Sequence, residues 1–276
     1  MPTRSSVTTI AAAGLLAAVA WLAAPAAAAQ ERGGPYRAPR TADGHPDLQG
    51  VWQVRNTAHW DLQDHAGAYR IPAGLGVVAD PPDGSIPYQP WALERKNANF
   101  QNRLADDPYE KCYLAGVPRT MYLPLPFQIF QTPDEVAILS EYVHTWRWVP
   151  LTGIPRYPGY ESWMGDPRGR WDGDTLVVET VGFNDQTWFD HAGNFDSDAL
   201  TVTERFTRTA DDVMTYEATM TDPKVFTRPW TIRMSIYRHR DRTQILENEC
   251  YLYAEEAGRP IRGRHPTFND PQGDTR

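Results

Sequence analysis

From residue 127 onward the chain alternates runs rich in Val, Ile, Thr, Tyr and Trp with short polar turns, and nothing else in it restricts the fold so strongly. Residues 127–131 and 135–148 flank Thr132-Pro133-Asp134, and residues 169–171 and 175–184 flank Asp172-Gly173-Asp174. Residues 200–208 and 213–220 flank Ala210-Asp211-Asp212, and residues 227–238 and 243–254 flank His239-Arg240-Asp241. Such runs bounded by turn residues are the signature of antiparallel hairpins. With a first strand at 50–54 they predict about nine short strands, a number suited to a barrel or sandwich. The connections alternate in length, tight at the four turns just named and long at roughly 149–168, 185–199 and 221–226. In an up-and-down meander successive connections fall at opposite ends. The pattern therefore predicts a mainly β fold: a single antiparallel up-and-down barrel, one end tight and the other a mouth of long loops, where a ligand would enter.

Residues 55–126 break this rhythm, because prolines from Pro72 to Pro126 remove the donors a packed sheet needs. One short helix is expected there, beginning at Pro90 and carrying Leu93, Phe100 and Leu104 on one face. The predicted organisation is an extended lead-in at 30–47, one barrel domain at 48–256 whose irregular part, 57–126, wraps the outside or plugs the mouth, and a flexible tail at 257–276.

The N-terminus carries Arg4, an apolar run from Ile10 to Ala24, then Pro25 and Ala26 to Ala29. That is the layout of a cleaved secretory signal over residues 1–29. The run is shorter than a membrane-spanning helix requires, so no stable membrane anchor is expected and the mature chain should be periplasmic or secreted. A formal charge of −8 excludes nucleic acid as a natural partner, since binding it needs clustered Lys and Arg. Cys112 and Cys250 are the only cysteines. In an oxidising compartment the pair favours a disulfide, with two buried thiols as the alternative.

Gly50-Val51-Trp52, at the start of the first strand after an extended lead-in, resembles the Gly-x-Trp motif of lipocalins and the wider calycin superfamily. The resemblance implies an apolar ligand cavity within the barrel and Trp52 packed at its closed base. The mature chain, above all Trp163 to Val178, also resembles a group of exported bacterial proteins, a likeness that implies no activity.

The meander brings particular residues to one rim. His144, Trp146 and Trp148 are expected to share a strand face leading into the 149–168 loop, which holds Tyr160, Trp163 and Asp166; Trp188, Asp190 and His191 follow in the 185–199 loop. A carboxylate beside an imidazole in apolar surroundings is suited to proton transfer. His144 and Asp166 are the expected pair, with Asp190 and His191 orienting the substrate or supplying the complementary acid. Trp146, Trp148, Tyr160, Trp163 and Trp188 would hold a ring-bearing ligand. Each residue also has a structural reading: His144 as a wall histidine, Asp166 as a turn residue before Pro167, and Asp190-His191 as a loop pin. Glu204, on the apolar face of its strand, either faces the cavity as a ligand contact or pairs with an arginine across the wall.

Asp185, Asp190, Asn194, Asp196 and Asp198 form an acidic loop without calcium-loop spacing, which reads as solvated. No zinc pair, serine elbow, phosphate loop or dinucleotide fingerprint is present, so neither metal nor cofactor is expected. Three functions remain. One is an exported cofactor-free acid-base enzyme, of isomerase, lyase or hydratase type, acting on a small, partly apolar molecule. The second is a lipocalin-like carrier or scavenger of such a molecule, and the third is an envelope protein gripping a macromolecule with its aromatic rim. Unpaired carboxylates are of no use to a carrier of apolar ligands, which favours the enzyme at this level. N-terminal sequencing of the protein from its native host should begin near Gln30; a sequence starting at Met1 would contradict export.

Overall fold

The computed structural model describes residues 36–256 and Gly258. The expected export signal, the lead-in at 30–35 and the tail apart from Gly258 lie outside the described residues. The strands are β1 (Gly50–Val54), β2 (Val78–Asp80), β3 (Phe127–Gln131), β4 (Glu135–Ser140), β5 (Trp146–Pro150), β6 (Asp166–Asp172), β7 (Thr175–Val181), β8 (Thr201–Ala210), β9 (Val213–Thr221) and β10 (Trp230–Arg238). Helix α1 (Pro90–Asp106) begins at the predicted proline, and α2 (Cys250–Glu256) ends the described chain.

Nine of the strands follow one another in the order β5-β4-β3-β1-β10-β9-β8-β7-β6, each neighbouring pair antiparallel, and β2 adds to β10. The sheet curls into a nearly closed barrel, as the hairpin rhythm predicts. Its closure is limited by parity. Along a path of nine alternating strands the two end strands, β5 and β6, run in the same direction, so no antiparallel ladder can join them. For the same reason the 151–165 connection must climb the height of the barrel. Gly169 of β6 allows close approach at this seam, because a Cβ there would lie 2.8 Å from Val149 Cγ1 and 2.6 Å from Leu151 Cδ2. Inside the barrel Arg147 of β5 reaches across: Nη1 donates to Glu204 Oε1 of β8 at 3.0 Å, Nη2 donates to Glu204 Oε2, and Nη2 also approaches Thr180 Oγ1 of β7 at 3.5 Å. Tyr216 Oη donates to Glu204 Oε1 at 2.8 Å.

Alternate residues of each strand fill the interior, among them Trp52, Phe127, Phe206, Met214, Tyr216 and Trp230, all essentially inaccessible. The apolar cavity that the calycin resemblance implies is thus occupied by side chains. Trp52 does pack at the tight-turn end, its Nε1 donating to Leu48 O at 2.9 Å and the Arg238 guanidinium lying 5.6 Å from its ring. Ala58, Leu62, Ile86, Val117, Met121 and Tyr122 of the proline-rich segment join the same core. That segment plugs the mouth end, together with the 182–200 and 222–229 connections.

Two expected strands differ. Residues 135–148 form two strands, because the chain reverses through a 3-10 turn at Tyr142–His144 in which Val143 and His144 have φ of 43° and 51°. The 243–254 run pairs with no strand. It forms an outer strap fixed by Gln128 Nε2 donating to Thr243 O at 3.1 Å and by Leu246 N donating to Glu141 Oε2 at 3.0 Å, and it continues into α2. There the expected disulfide joins Cys112 to Cys250, with Cα atoms 5.6 Å apart across 138 residues of sequence. A bridge of this kind belongs to an oxidising compartment outside the cytoplasm. Among the described residues no helix is long and apolar enough to cross a membrane.

Arg147→Met should lower the unfolding free energy by about 3–5 kcal/mol, because it leaves the Glu204 carboxylate buried without its cation. Adding Glu204→Gln should recover part of that loss in denaturant titrations; strictly additive losses would show that the pair does not act as a unit.

Candidate functional site

The polar residues at the plugged mouth are built from three distant segments. Asp107, following α1, caps the 3-10 turn Pro108–Lys111, its Oδ1 accepting from Tyr109 N at 2.9 Å. Proline at the first position fixes the turn, so the carboxylate points inward instead of rotating in solvent. Arg119, in the 3-10 turn Arg119–Met121, meets it with both nitrogens: Nη1 to Oδ1 at 2.7 Å and Nη2 to Oδ2 at 2.8 Å. His191 Nδ1 lies 2.7 Å from Asp107 Oδ2, and its Nε2 lies 3.8 Å from Glu110 Oε1. His59 stacks beyond it, ring centroids 6.4 Å apart, with its Nδ1 buried and without a hydrogen-bond partner.

Burial works against ionising Asp107, but the Arg119 charge and hydrogen bonds outweigh it and hold the carboxyl well below the usual range. Burial pushes His59 far below the ordinary imidazole value, keeping it neutral. Asp190 accepts from Leu62 N at 2.9 Å, Ala192 N at 3.0 Å, Asn194 N at 3.2 Å and the Asn194 amide. Burial and then the Asp61 charge push its carboxyl up to about 7 against those donors. His191 N donates to His59 O at 3.0 Å, so the backbone of this loop is also tied to the plug.

Beside this network lies a cleft of about 210 Å³ lined by Tyr113, Trp163 and Trp188 together with Arg95, Lys111 and Asp185. The Tyr113 and Trp163 rings are 5.2 Å apart, tilted by 53°. Trp163 comes from the climbing 151–165 connection and Trp188 from the 182–200 connection, so the predicted convergence of two loops holds for these two aromatics.

The other expected residues are placed differently. His144 projects outward and pairs with Glu249, Nε2 to Oε1 at 3.2 Å, while Asp166 is held by Arg168, so the expected His144–Asp166 pair does not form. Trp146 and Trp148 are 66% and 40% exposed on the outer face, because the turn at 142–144 reverses the parity assumed for them. Tyr160 is exposed and is not among the residues lining the cleft. Glu204 pairs with an arginine in the core, the second of its two readings, and is not among the residues lining this cleft. Asp190 and His191 pin their loop, and they sit beside each other as expected. The acidic loop is solvated only in part: Asp185 and Asp198 are exposed, whereas Asp190, Asn194 and Asp196 are buried, Asp196 accepting from Thr187 Oγ1 at 3.1 Å with its carboxyl pushed well above the usual range by burial. Asp107, Arg119 and His59 had no part in the sequence expectation; Asp107-Pro108 as a helical start was the one local signal for any of them.

A depressed carboxyl contributes stability that is present above its unfolded-state value and lost as pH falls through the folded one. Denaturation should accordingly show wild-type stability falling below about pH 4. Asp107→Asn should cost about 3–5 kcal/mol at pH 7 by stranding Arg119, and the variant should lose less on acidification. Equal acid sensitivity in both proteins would count against this role for Asp107. No protein-family model matches the chain, nor does any curated protein or solved structure.

Proposed function

We propose that the protein is a periplasmic or secreted carrier or scavenger that binds a small, partly apolar, ring-bearing molecule without turning it over. The observation carrying this reading is a division of labour at the mouth. The cleft presents three aromatic rings and charges of both signs, whereas the buried titratable groups Asp107, Asp190, Asp196, His191 and Glu204 are held by hydrogen bonds to protein and do not line it. Aromatic walls offer stacking and area burial to a ring. Arg95, Lys111 and Asp185 at its edge would orient an ionised or strongly polar substituent. The calycin resemblance favours the same function, with the ligand on the rim and not within the barrel.

One observation favours a second reading, the acid-base enzyme of isomerase, lyase or hydratase type. The Asp107–His191 contact has the form of a carboxylate orienting an imidazole, which would leave Nε2 to exchange a proton. In that reading His191 is the proton-transferring group and His144 has no part.

The two separate in one experiment: incubate the mature protein with metabolite extracts and assay retained and converted compounds independently. A carrier retains a compound unchanged; an enzyme converts one, and His191→Ala should lower that rate about 10²–10⁴-fold. With a retained ligand in hand, Trp163→Ala should weaken tryptophan quenching and affinity, while Trp146→Ala on the outer face should leave affinity unchanged. Equal effects of the two substitutions would move the ligand away from this cleft.

A further inference from the structure

The strap that leaves β10 brings two carboxylates to the outward-facing histidine. His144, Glu247 and Glu249 each offer one ligand atom, and these atoms all lie within 4.8 Å of one another. We propose that these three residues form a binding site for a divalent transition-metal ion, with zinc the best fit, and that the ion clamps the strap to the mouth rim.

Four observations carry this. First, the set mixes an imidazole with two carboxylates drawn from segments about a hundred residues apart, so it is a convergence made by the fold and not a run of acidic sequence. Second, its spacing suits an ion. Ligand atoms about 2.0–2.2 Å from a tetrahedral zinc are about 3.4 Å from each other. His144 Nε2 and Glu249 Oε1 already stand 3.2 Å apart, and the Glu247 ligand atom lies within 4.8 Å of both.

Third, one carboxylate of the set has no protein partner. Among the described residues Glu247 has no hydrogen bond or ion pair, and the one ion pair of Glu249 is with His144. The neighbouring Arg242 is engaged elsewhere, on Glu141 at 3.3 Å. Fourth, the strap is fixed on both sides of the cluster. Leu246 N is bound to Glu141, and Cys250, next to Glu249, is bonded to Cys112. The carboxylates are therefore held near His144 before any ion arrives, which reduces the ordering that binding would otherwise require.

The ligand set also selects the ion. Imidazole suits zinc, copper, iron and nickel, whereas calcium and magnesium call for more oxygen ligands than this site provides. Three protein ligands leave a coordination position for water.

The test uses untagged, disulfide-intact mature protein freed of metal with a chelator, titrated calorimetrically with zinc chloride and, separately, with calcium chloride. Saturable zinc binding at one ion per chain is expected, with calcium much weaker. His144→Ala and Glu247→Gln should each weaken zinc binding by about tenfold or more, while the metal-free melting temperature stays near that of the wild type. Cobalt should give a visible absorption band that disappears in His144→Ala. Absence of stoichiometric zinc binding would overturn the proposal, as would unchanged affinity in both variants or calcium binding as tight as zinc.

Discussion

The seam between β5 and β6 is where this barrel is weakest by construction, and the buried Arg147–Glu204 pair spans it. An odd path of antiparallel strands cannot close with antiparallel hydrogen bonds, so its two edges need another link. A guanidinium from the β5 edge, seated on a carboxylate of β8 and close to Thr180 of β7, supplies one in the buried interior. The desolvation cost of such a pair is large, and its attraction repays that cost only when the geometry is good and the remaining lone pairs are satisfied. Tyr216 meets the last requirement from β9. The chain thus sets a polar tether inside an otherwise aromatic and aliphatic core at the place where backbone pairing runs out.

A second tether fixes the plug. Residues 55–126 contain little regular structure of their own, and their burial against the barrel needs their polar groups to be satisfied. Arg119 and His191 both engage Asp107, and Asp190 takes the Leu62 amide as well as those of its own loop. Tyr122 Oη donates to Phe189 O at 2.8 Å in the same region. The plug and the 182–200 connection therefore hold each other. The pair of polar centres, one in the barrel and one at its mouth, also explains why several carboxylates of an acidic protein are buried.

Most of the strand pattern was legible because the hairpins at 132–134, 172–174 and 210–212 use the turn residues that such turns demand. The reversal at 141–145 was not, since Glu141-Tyr142-Val143-His144-Thr145 contains none of them and the turn instead places a β-branched valine and a histidine at positive φ. Missing that one turn moved Trp146, Trp148 and His144 to the wrong side of the wall, because side-chain direction in a strand inverts with each residue. The 243–254 run misled for another reason. Its Tyr, Leu and Ile content suits a strand, but the bond to Cys112 ties residue 250 to the end of the 3-10 turn at 108–111, and residues 250–256 form a helix. Of the site, Trp163 and Trp188 were readable from loop topology, while the Asp107–Arg119–His191 set was not, since no local spacing relates residues 107, 119 and 191.

The distribution of charge at the mouth bears on what the protein can do with a ligand. Buried carboxylates held by hydrogen bonds are expensive to disturb, since removing one partner leaves a buried charge uncompensated. Using His191 or Asp190 in chemistry would require such a disturbance in every turnover, and both also hold loop backbone in place. The groups at the cleft edge are less buried: Lys111 pairs with Asp106 at 3.8 Å with both side chains partly exposed, and Arg95 lies 4.5 Å from the Phe195 ring. Under the proposed carrier reading the aromatic rings would hold the molecule, while the buried polar network holds the loops that carry those rings.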